Sequence, residues 1–310
     1  MVVSQIALSK EGPTCSRFVL GVWRMAEWGM SSTQILDFIQ ACLELGITTF
    51  DHADIYGDYT CEQLFGDALA KMPSLRSQMQ LVTKCGIKLV SKNRPAHTIK
   101  HYDTRAVHIL ASVENSLKQL QTDYIDLLLI HRPDPLMDAD EVATAFSQLR
   151  QSGKVLHFGV SNFMPRQFNL LVSRLDFPLV TNQIEISVQH LASFEDGTLD
   201  QCQQLRISPM AWSPLGGGRL FQGMDEQSVR LREALTSVAN ELGGATLDQV
   251  ALAWLLAHPA KIVPILGTQK IDRIKSAITS LSFTNPSEAL QLSREQWFAI
   301  WSASTGQEVP

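Results

Sequence analysis

The sequence predicts an α/β fold, a (β/α)8 TIM barrel. Three observations carry the prediction. Eight short, apolar, β-rich runs alternate with longer stretches of helical period along the 310 residues. Several runs are apolar at consecutive positions, as strands buried on both faces of a parallel sheet are. Polar or aromatic residues follow seven of the eight runs, at the end where such barrels carry their active sites.

The eight strand segments are 17–22, 47–50, 80–83, 125–130, 155–160, 179–181, 207–211 and 261–265. Helical period appears at 32–45, which starts on a capping serine and stops before Gly46. Segment 105–120 lines up Val107, Leu110, Val113, Leu117 and Leu120 on one stripe. Further helices are expected at 139–150, at 165–175 with Pro165 in the first turn, and at 199–205, 247–257 and 271–281. Segment 226–242 is an extra helix after strand seven, and 293–305 a helix added at the C-terminus. Near the N-terminus, 5–10 and 16–20 are joined by Glu11-Gly12-Pro13, which suits a β-hairpin cap on the barrel bottom. No linker or repeat interrupts the chain, so residues 1–310 are expected to form one domain.

Hydrophobic residues make up 45% and charged residues 18%, an ordinary globular composition. The net charge of -5 and the lack of a basic block argue against nucleic acid as a partner. Five widely spaced cysteines without a Cys-x-x-Cys suit free thiols in a reducing compartment. The N-terminus has no signal-peptide pattern and the longest apolar runs are too short to span a membrane, so a cytoplasmic protein is expected. Nothing in the sequence selects an oligomeric state.

The residues that close the strands are Asp51, Lys84, His131, Ser161 with Asn162, Gln183, Trp212 with Ser213, and Gly267 with Thr268. A lysine and an aspartate at the ends of apolar strands are costly unless paired, and Asp51 can pair with Lys84. Tyr56 follows Asp51 by five residues and falls within reach of the same place. A lysine ammonium favours phenolate and so acts to lower the pKa of a neighbouring tyrosine. A phenol so tuned suits a general acid for a developing alkoxide, and His131 can donate a hydrogen bond to the same oxygen. Each residue alone has an ordinary structural explanation, as a cap, a snorkelling lysine, a core histidine or a packed aromatic. Together at the ends of strands two to four, they point to carbonyl reduction. Gly216, Gly217 and Gly218 permit close approach of backbone to a phosphate, with Arg219 following. Gln269, Lys270 and Arg273 open a helix after a strand, which suits an anion. No G-x-G-x-x-G follows the first strand, so a Rossmann domain is not indicated.

Several stretches resemble the aldo/keto reductases, and within them the bacterial YdhF-like group. These are Gly-Val-Trp at 21–23, DHADIYG at 51–57, TKCG at 83–86, DYIDLLLIHRPDP at 123–135, GKVLHFGVSNF at 153–163, NQIEIS at 182–187, AWSPLGGGRL at 211–220 and PILGTQKIDRI at 264–274. The resemblance implies a catalytic tetrad of Asp51, Tyr56, Lys84 and His131. It also implies NADPH, as cofactor, lying across the barrel mouth. Val22, Trp23 and Asp51 would border it, the nicotinamide would stack on Trp212, and Ser161, Asn162 and Gln183 would hold its amide. The pyrophosphate would lie under Ser213, Pro214, Leu215, Gly216, Gly218 and Arg219, and the 2′-phosphate and adenine near Gly267, Gln269 and Arg273. Relatives often carry a Glu-Asn pair a turn beyond the arginine, where this chain has Ser276 and Ala277.

Trp23, Trp28, Tyr56, Tyr59, His131, Arg132 and Phe163 fall in loops expected to line the pocket for a small carbonyl substrate. Arg132 suits either an acidic substrate or an ion pair with Asp134. Two other readings compete. One is a nicotinamide-binding partner protein with little turnover, as in potassium-channel β subunits. The other is a metal-dependent barrel hydrolase on Asp51, His52, Asp54 and His131, although no strong metal-ligand motif occurs.

Overall fold

A computed structural model of the protein describes residues 2–284 and 290–309. Eight parallel strands close into a barrel: β1 (Val19–Gly21), β2 (Thr49–Asp51), β3 (Gln80–Cys85), β4 (Ile125–Ile130), β5 (Val155–Ser161), β6 (Asn182–Glu185), β7 (Met210–Trp212) and β8 (Val263–Leu266). Each strand pairs with its sequence neighbours, and β8 closes onto β1 through Ile265↔Val19 and Leu266↔Leu20. The expected (β/α)8 architecture is therefore present.

Among the described residues, ten longer helices surround it: α1 (Ser32–Glu44), α2 (Cys61–Leu69), α3 (Ala106–Leu120), α4 (Ala139–Gln151), α5 (Pro165–Val172), α6 (Thr198–Leu205), α7 (Glu226–Glu241), α8 (Leu247–Leu256), α9 (Ile271–Thr279) and α10 (Arg294–Thr305). Helix α1 begins in a capping box between Ser31 and Gln34, one residue before the expected start. The extra helix after β7 is α7, and the C-terminal addition is α10. The Trp254 and Trp297 indoles clamp α10 to α8. The rings stack with centroids 4.6 Å apart, and each Nε1 donates to the other residue's carbonyl at 3.0 Å.

An apolar cluster fills the barrel interior. Val19, Val82, Leu127, Leu129, Val180, Met210, Val263 and Ile265 pack there with Leu8 and Cys15 from the N-terminal hairpin. That hairpin pairs Gln5–Ala7 with Thr14–Ser16 and plugs the floor. The expected second hairpin strand at 16–20 is corrected by this pairing. After Ser16 the chain bends, with Ser16 Oγ donating to the Phe18 carbonyl at 2.6 Å, and Val19 enters the barrel. Strands β6 and β7 lie farther along the chain than expected; in β6 the polar Asn182 and Gln183 are buried and hydrogen-bonded, Asn182 to the Phe163 carbonyl and Gln183 to Asp51. No helix among the described residues is long and apolar enough to cross a membrane.

Helix α2 has no counterpart in the sequence reading. A buried acid, Glu62, and a glycine, Gly66, interrupt its pattern. Gly66 is there because α3 comes close: a Cβ would stand 1.9 Å from the Gln119 carbonyl oxygen. Backbone cannot yield as a side-chain tip can, so overpacking outweighs the helix propensity that alanine would add. Gly66→Ala is expected to destabilise the protein by about 2 kcal/mol. Urea unfolding checks this, and an unchanged or higher midpoint would contradict the close packing of α2 on α3.

Candidate active site

The site begins with a buried ammonium. Lys84 on β3 is fully buried, and its Nζ has three donors. They reach Asp51 Oδ2 at 2.8 Å, the His52 carbonyl at 2.7 Å and Tyr56 Oη at 3.0 Å. Burial acts to discharge the lysine, but Asp51 and Tyr56 outweigh it, and the pKa stands above its ordinary value. The strands dictate this meeting. Asp51 ends β2 in register with Val82 on β3. Beyond it the ladder continues, His52 N–H donating to the Val82 carbonyl at 2.8 Å and Asp54 N–H to the Lys84 carbonyl at 3.1 Å. The segment is thereby drawn along β3, and Tyr56 then opens a tight turn in which Gly57, Asp58 and Tyr59 all have positive φ. Gly57 makes that turn at φ 57°, where a Cβ would meet Cys61 Sγ at 2.5 Å and Ala26 Cβ at 2.7 Å.

From Asp51 a hydrogen-bonded chain runs across the barrel mouth. Gln183 Nε2 donates to Asp51 Oδ1 at 2.8 Å. Ser161 Oγ donates to the Gln183 carbonyl at 2.9 Å, and Asn162 Nδ2 to Ser161 Oγ at 2.7 Å. Trp212 Nε1 then donates to Asn162 Oδ1 at 3.0 Å, fixing the indole. Asn162 (φ 59°) and Ser213 (φ 51°) hold left-handed backbone conformations beside it.

His131 follows β4, its ring edge-on to Tyr56 with centroids 5.9 Å apart. Burial, with Lys84 and Arg132 beside it, keeps the imidazole neutral, its pKa well below the ordinary value. Its buried Nδ1 has no hydrogen-bond partner among the described residues. Tyr56 departs from the sequence expectation. Burial raises the pKa of the phenol, and although Lys84 pulls it down, the net shift is upward. Desolvation of the charged phenolate is the larger effect.

Farther out, Gly216–Gly218 forms a tight turn of positive-φ glycines, followed by a helical turn at Arg219–Gln222. Pro214 is buried beneath it and Arg219 is exposed. Beyond this, a cleft is lined by Arg24, Glu27, Trp28, Gly267, Thr268, Gln269, Lys270 and Arg273. Three cations face one carboxylate there, and a Cβ at Gly267 would meet nothing within 4 Å. Such a cleft fits a phosphate with an aromatic group beside it. Arg24 and Glu27 were not anticipated. They lie in a short turn after β1 with no patterned signal around them.

Other expectations are corrected. Trp28, expected at the carbonyl pocket, lines this cleft, edge-on to Phe38. Phe163 is buried in the apolar cluster between the barrel and α3–α5, so it packs the core and does not line the opening. Val22 is also core; its N–H donates to the Asp51 carbonyl and its own carbonyl accepts from Met25 N–H, which leaves it holding the loop. Tyr59 is buried, its hydroxyl accepting from Leu89 N–H at 2.8 Å. Trp23 is 58% exposed, with the Arg24 guanidinium over it. Ser276 donates to Asp248 at 3.0 Å and Ala277 is core, so neither is free to meet a ligand. Asp51, His52, Asp54 and His131 do not gather into a metal-binding group.

Residues 17–296 match the family model of the aldo/keto reductases. The chain belongs to the aldo/keto reductase family. As an aldo/keto reductase it is an oxidoreductase, and the family in general uses NAD(P)H. It is 53% identical to oxidoreductase YdhF of Escherichia coli (strain K12), covering 100% of both chains. It is 46% identical to a 6-dehydroglucose reductase of Agrobacterium fabrum, over 99% of this chain and 100% of that one. Among solved structures it resembles the thermostable aldo-keto reductase Tm1743, at TM-score 0.80 and 26% identity, over 97% of this chain and 99% of that one.

Behind Asp51, Tyr56, Lys84 and His131 of this aldo/keto reductase lies a second buried polar layer. His52 packs edge-on against Phe65, and burial pushes its pKa down to about 3. Asp54 is held well above the carboxylate range by burial and by Glu62. Glu62 accepts from Thr83 Oγ1 at 2.6 Å, but burial still raises it from 4.5 to about 7. The folded chain therefore holds this proton more tightly than the unfolded chain. The stabilisation is complete below about pH 4.5 and is lost as pH rises through about 7. The loss amounts to roughly 3 kcal/mol. Glu62→Gln keeps an acceptor for Thr83 and is expected to flatten the fall of the urea midpoint across that window. Parallel curves for the two proteins would remove Glu62 as its cause.

Proposed function

We propose that this chain reduces an aldehyde or ketone to the alcohol, with NADPH as the reductant. The observation that carries this is the Lys84 ammonium, bonded at once to Asp51 and to the Tyr56 hydroxyl. Such an arrangement holds a protonated phenol beside a fixed positive charge, ready to give its proton to an oxygen that becomes negative. The relative named for 6-dehydroglucose supports a carbonyl substrate.

When bound, NADPH supplies the hydride for the carbonyl carbon. On this reading Trp212 offers its indole face to the nicotinamide, with the ring orientation fixed by Asn162. Ser161, Asn162 and Gln183 border the amide. The turn 213–219 covers the pyrophosphate, and Arg24, Lys270 and Arg273 hold the 2′-phosphate in their cleft. Trp23 borders the opening. Tyr56 gives its proton to the substrate oxygen, and neutral His131 orients that oxygen by a hydrogen bond. Lys84 stabilises the phenolate that Tyr56 becomes, and Asp51 holds Lys84. The chain works as one domain. Its five cysteines are buried free thiols, which suits the cytoplasm.

Fluorescence titration with NADPH and with NADH comes first. Saturable quenching by NADPH, tighter than by NADH, is expected, and binding of neither would sink the proposal. Arg273→Ala should weaken NADPH and leave NADH little changed. Tyr56→Phe should retain NADPH binding and lose about 100- to 10,000-fold in kcat. Full turnover by that variant would take the acid role from Tyr56.

A further inference from the structure

We infer that Arg132 selects carbonyl substrates that also bear a carboxylate; the inference rests on the carbonyl-reduction reading above. Arg132 directly follows His131 and is half-buried. The sequence offered Asp134 as its partner, but the structure occupies Asp134 elsewhere. Its Oδ2 accepts from Thr104 Oγ1 at 2.9 Å and its Oδ1 from Leu136 N–H at 2.8 Å. The ion pairs among the described residues involve Arg76, Lys84, Lys88, Arg105, Lys154, Arg174 and Arg230, and none reaches Arg132. Two other half-buried arginines, Arg76 and Arg17, are hydrogen-bonded at several N–H groups. Arg76 bonds Asp126, Thr122 and two carbonyls, and Arg17 bonds the carbonyls of Ile262 and Leu256.

The guanidinium of Arg132 lies 5.3 Å from the centroid of Trp212. Its field reaches both groups that would hold the substrate oxygen. Besides burial, Lys84, Arg132 and Lys100 all push His131 toward its neutral form, and Arg132 also acts on Tyr56. Arg132 thus adds positive charge at the opening, where the Lys84 ammonium is already matched by Asp51. Stacking on an indole covers one face of a guanidinium and leaves its in-plane N–H donors unspent. A planar fork of donors without a counter-charge matches a carboxylate in bidentate fashion. Hydroxyl groups would accept its hydrogen bonds but would not neutralise it.

The test compares three aromatic aldehydes that differ only opposite the carbonyl: para-carboxybenzaldehyde, para-(hydroxymethyl)benzaldehyde and para-tolualdehyde. The kcat/KM of each is measured with NADPH for the wild type, Arg132→Met and Arg132→Lys. The wild type is expected to favour the carboxylate over the methyl compound by about ten- to hundredfold, the range for a hydrogen bond to a charged group. Arg132→Met should reduce that ratio at least tenfold, and Arg132→Lys should restore part of it. The Kd for NADPH, read by protein fluorescence, should move less than threefold.

A flat ratio in the wild type, or one that Arg132→Met preserves, overturns the inference. A preference for the hydroxymethyl compound that Arg132→Met removes overturns it too, since the guanidinium then reads hydroxyls. If Arg132→Met weakens NADPH binding while the ratio stays put, the anion is a cofactor phosphate and the inference falls. No turnover of any of the three by the wild type overturns the carbonyl-reduction reading itself. Turnover of all three without a carboxylate preference overturns the inference alone.

Discussion

The pair of Lys84 and Asp51 is the constraint on which the rest of the site depends. Moving an ammonium and a carboxylate out of water costs several kcal/mol for each ion. That cost is tolerable only if the remaining donors and acceptors are satisfied, and here they are. Lys84 spends its donors on Asp51, the His52 carbonyl and Tyr56, and the second Asp51 oxygen takes Gln183 from the opposite side of the barrel. Loss of either ion would leave the other buried and unpaired, a penalty of about 3–5 kcal/mol. The pair therefore ties together β2, β3 and β6, and it sets where the chain after β2 must travel.

From that anchor, position passes outward by hydrogen bonds. The Gln183 carbonyl holds Ser161, Ser161 holds Asn162, and Asn162 holds the Trp212 indole. Four strands contribute to one rigid line, and the residues that bend away from it, Asn162 and Ser213, do so in left-handed conformations. Strain of about 1–3 kcal/mol at each such residue persists only where the surroundings over-determine it. The short strands permit this. β1, β2 and β7 each span three residues, so their last residues already stand at the mouth.

What the sequence disclosed follows from the same physics. A charged residue at the end of an apolar run is visible because it is expensive, and Asp51, Lys84 and His131 mark β2, β3 and β4 for that reason. Helix α2 was hidden by the inverse case. Glu62 and Gly66 look like surface and turn residues, yet one is buried against Thr83 and the other admits α3. Aromatic residues near the mouth were equally ambiguous. Phe163 turned inward to the core and Trp28 to the outer cleft, because residue type states that a ring will be covered but not by what. The pKa of Tyr56 was misjudged for a related reason. The lysine beside it was legible, whereas the depth of burial was a property of the fold.

That upward shift bears on the proposed chemistry. Hydride delivery to a carbonyl generates an alkoxide, a strong base comparable with hydroxide. Burial raises the phenol above its ordinary value of 10.0. The phenol therefore stays protonated at neutral pH, with its proton available to that base. A strongly lowered value would weaken this by leaving part of the protein as phenolate with no proton to give. Burial and Lys84 thus pull in opposite directions to useful effect. Burial keeps the proton on Tyr56 until charge develops nearby, and the ammonium 3.0 Å away limits the cost once it has gone. Neutral His131 completes the balance, because a second positive charge on the imidazole would compete with Lys84 for the same small volume.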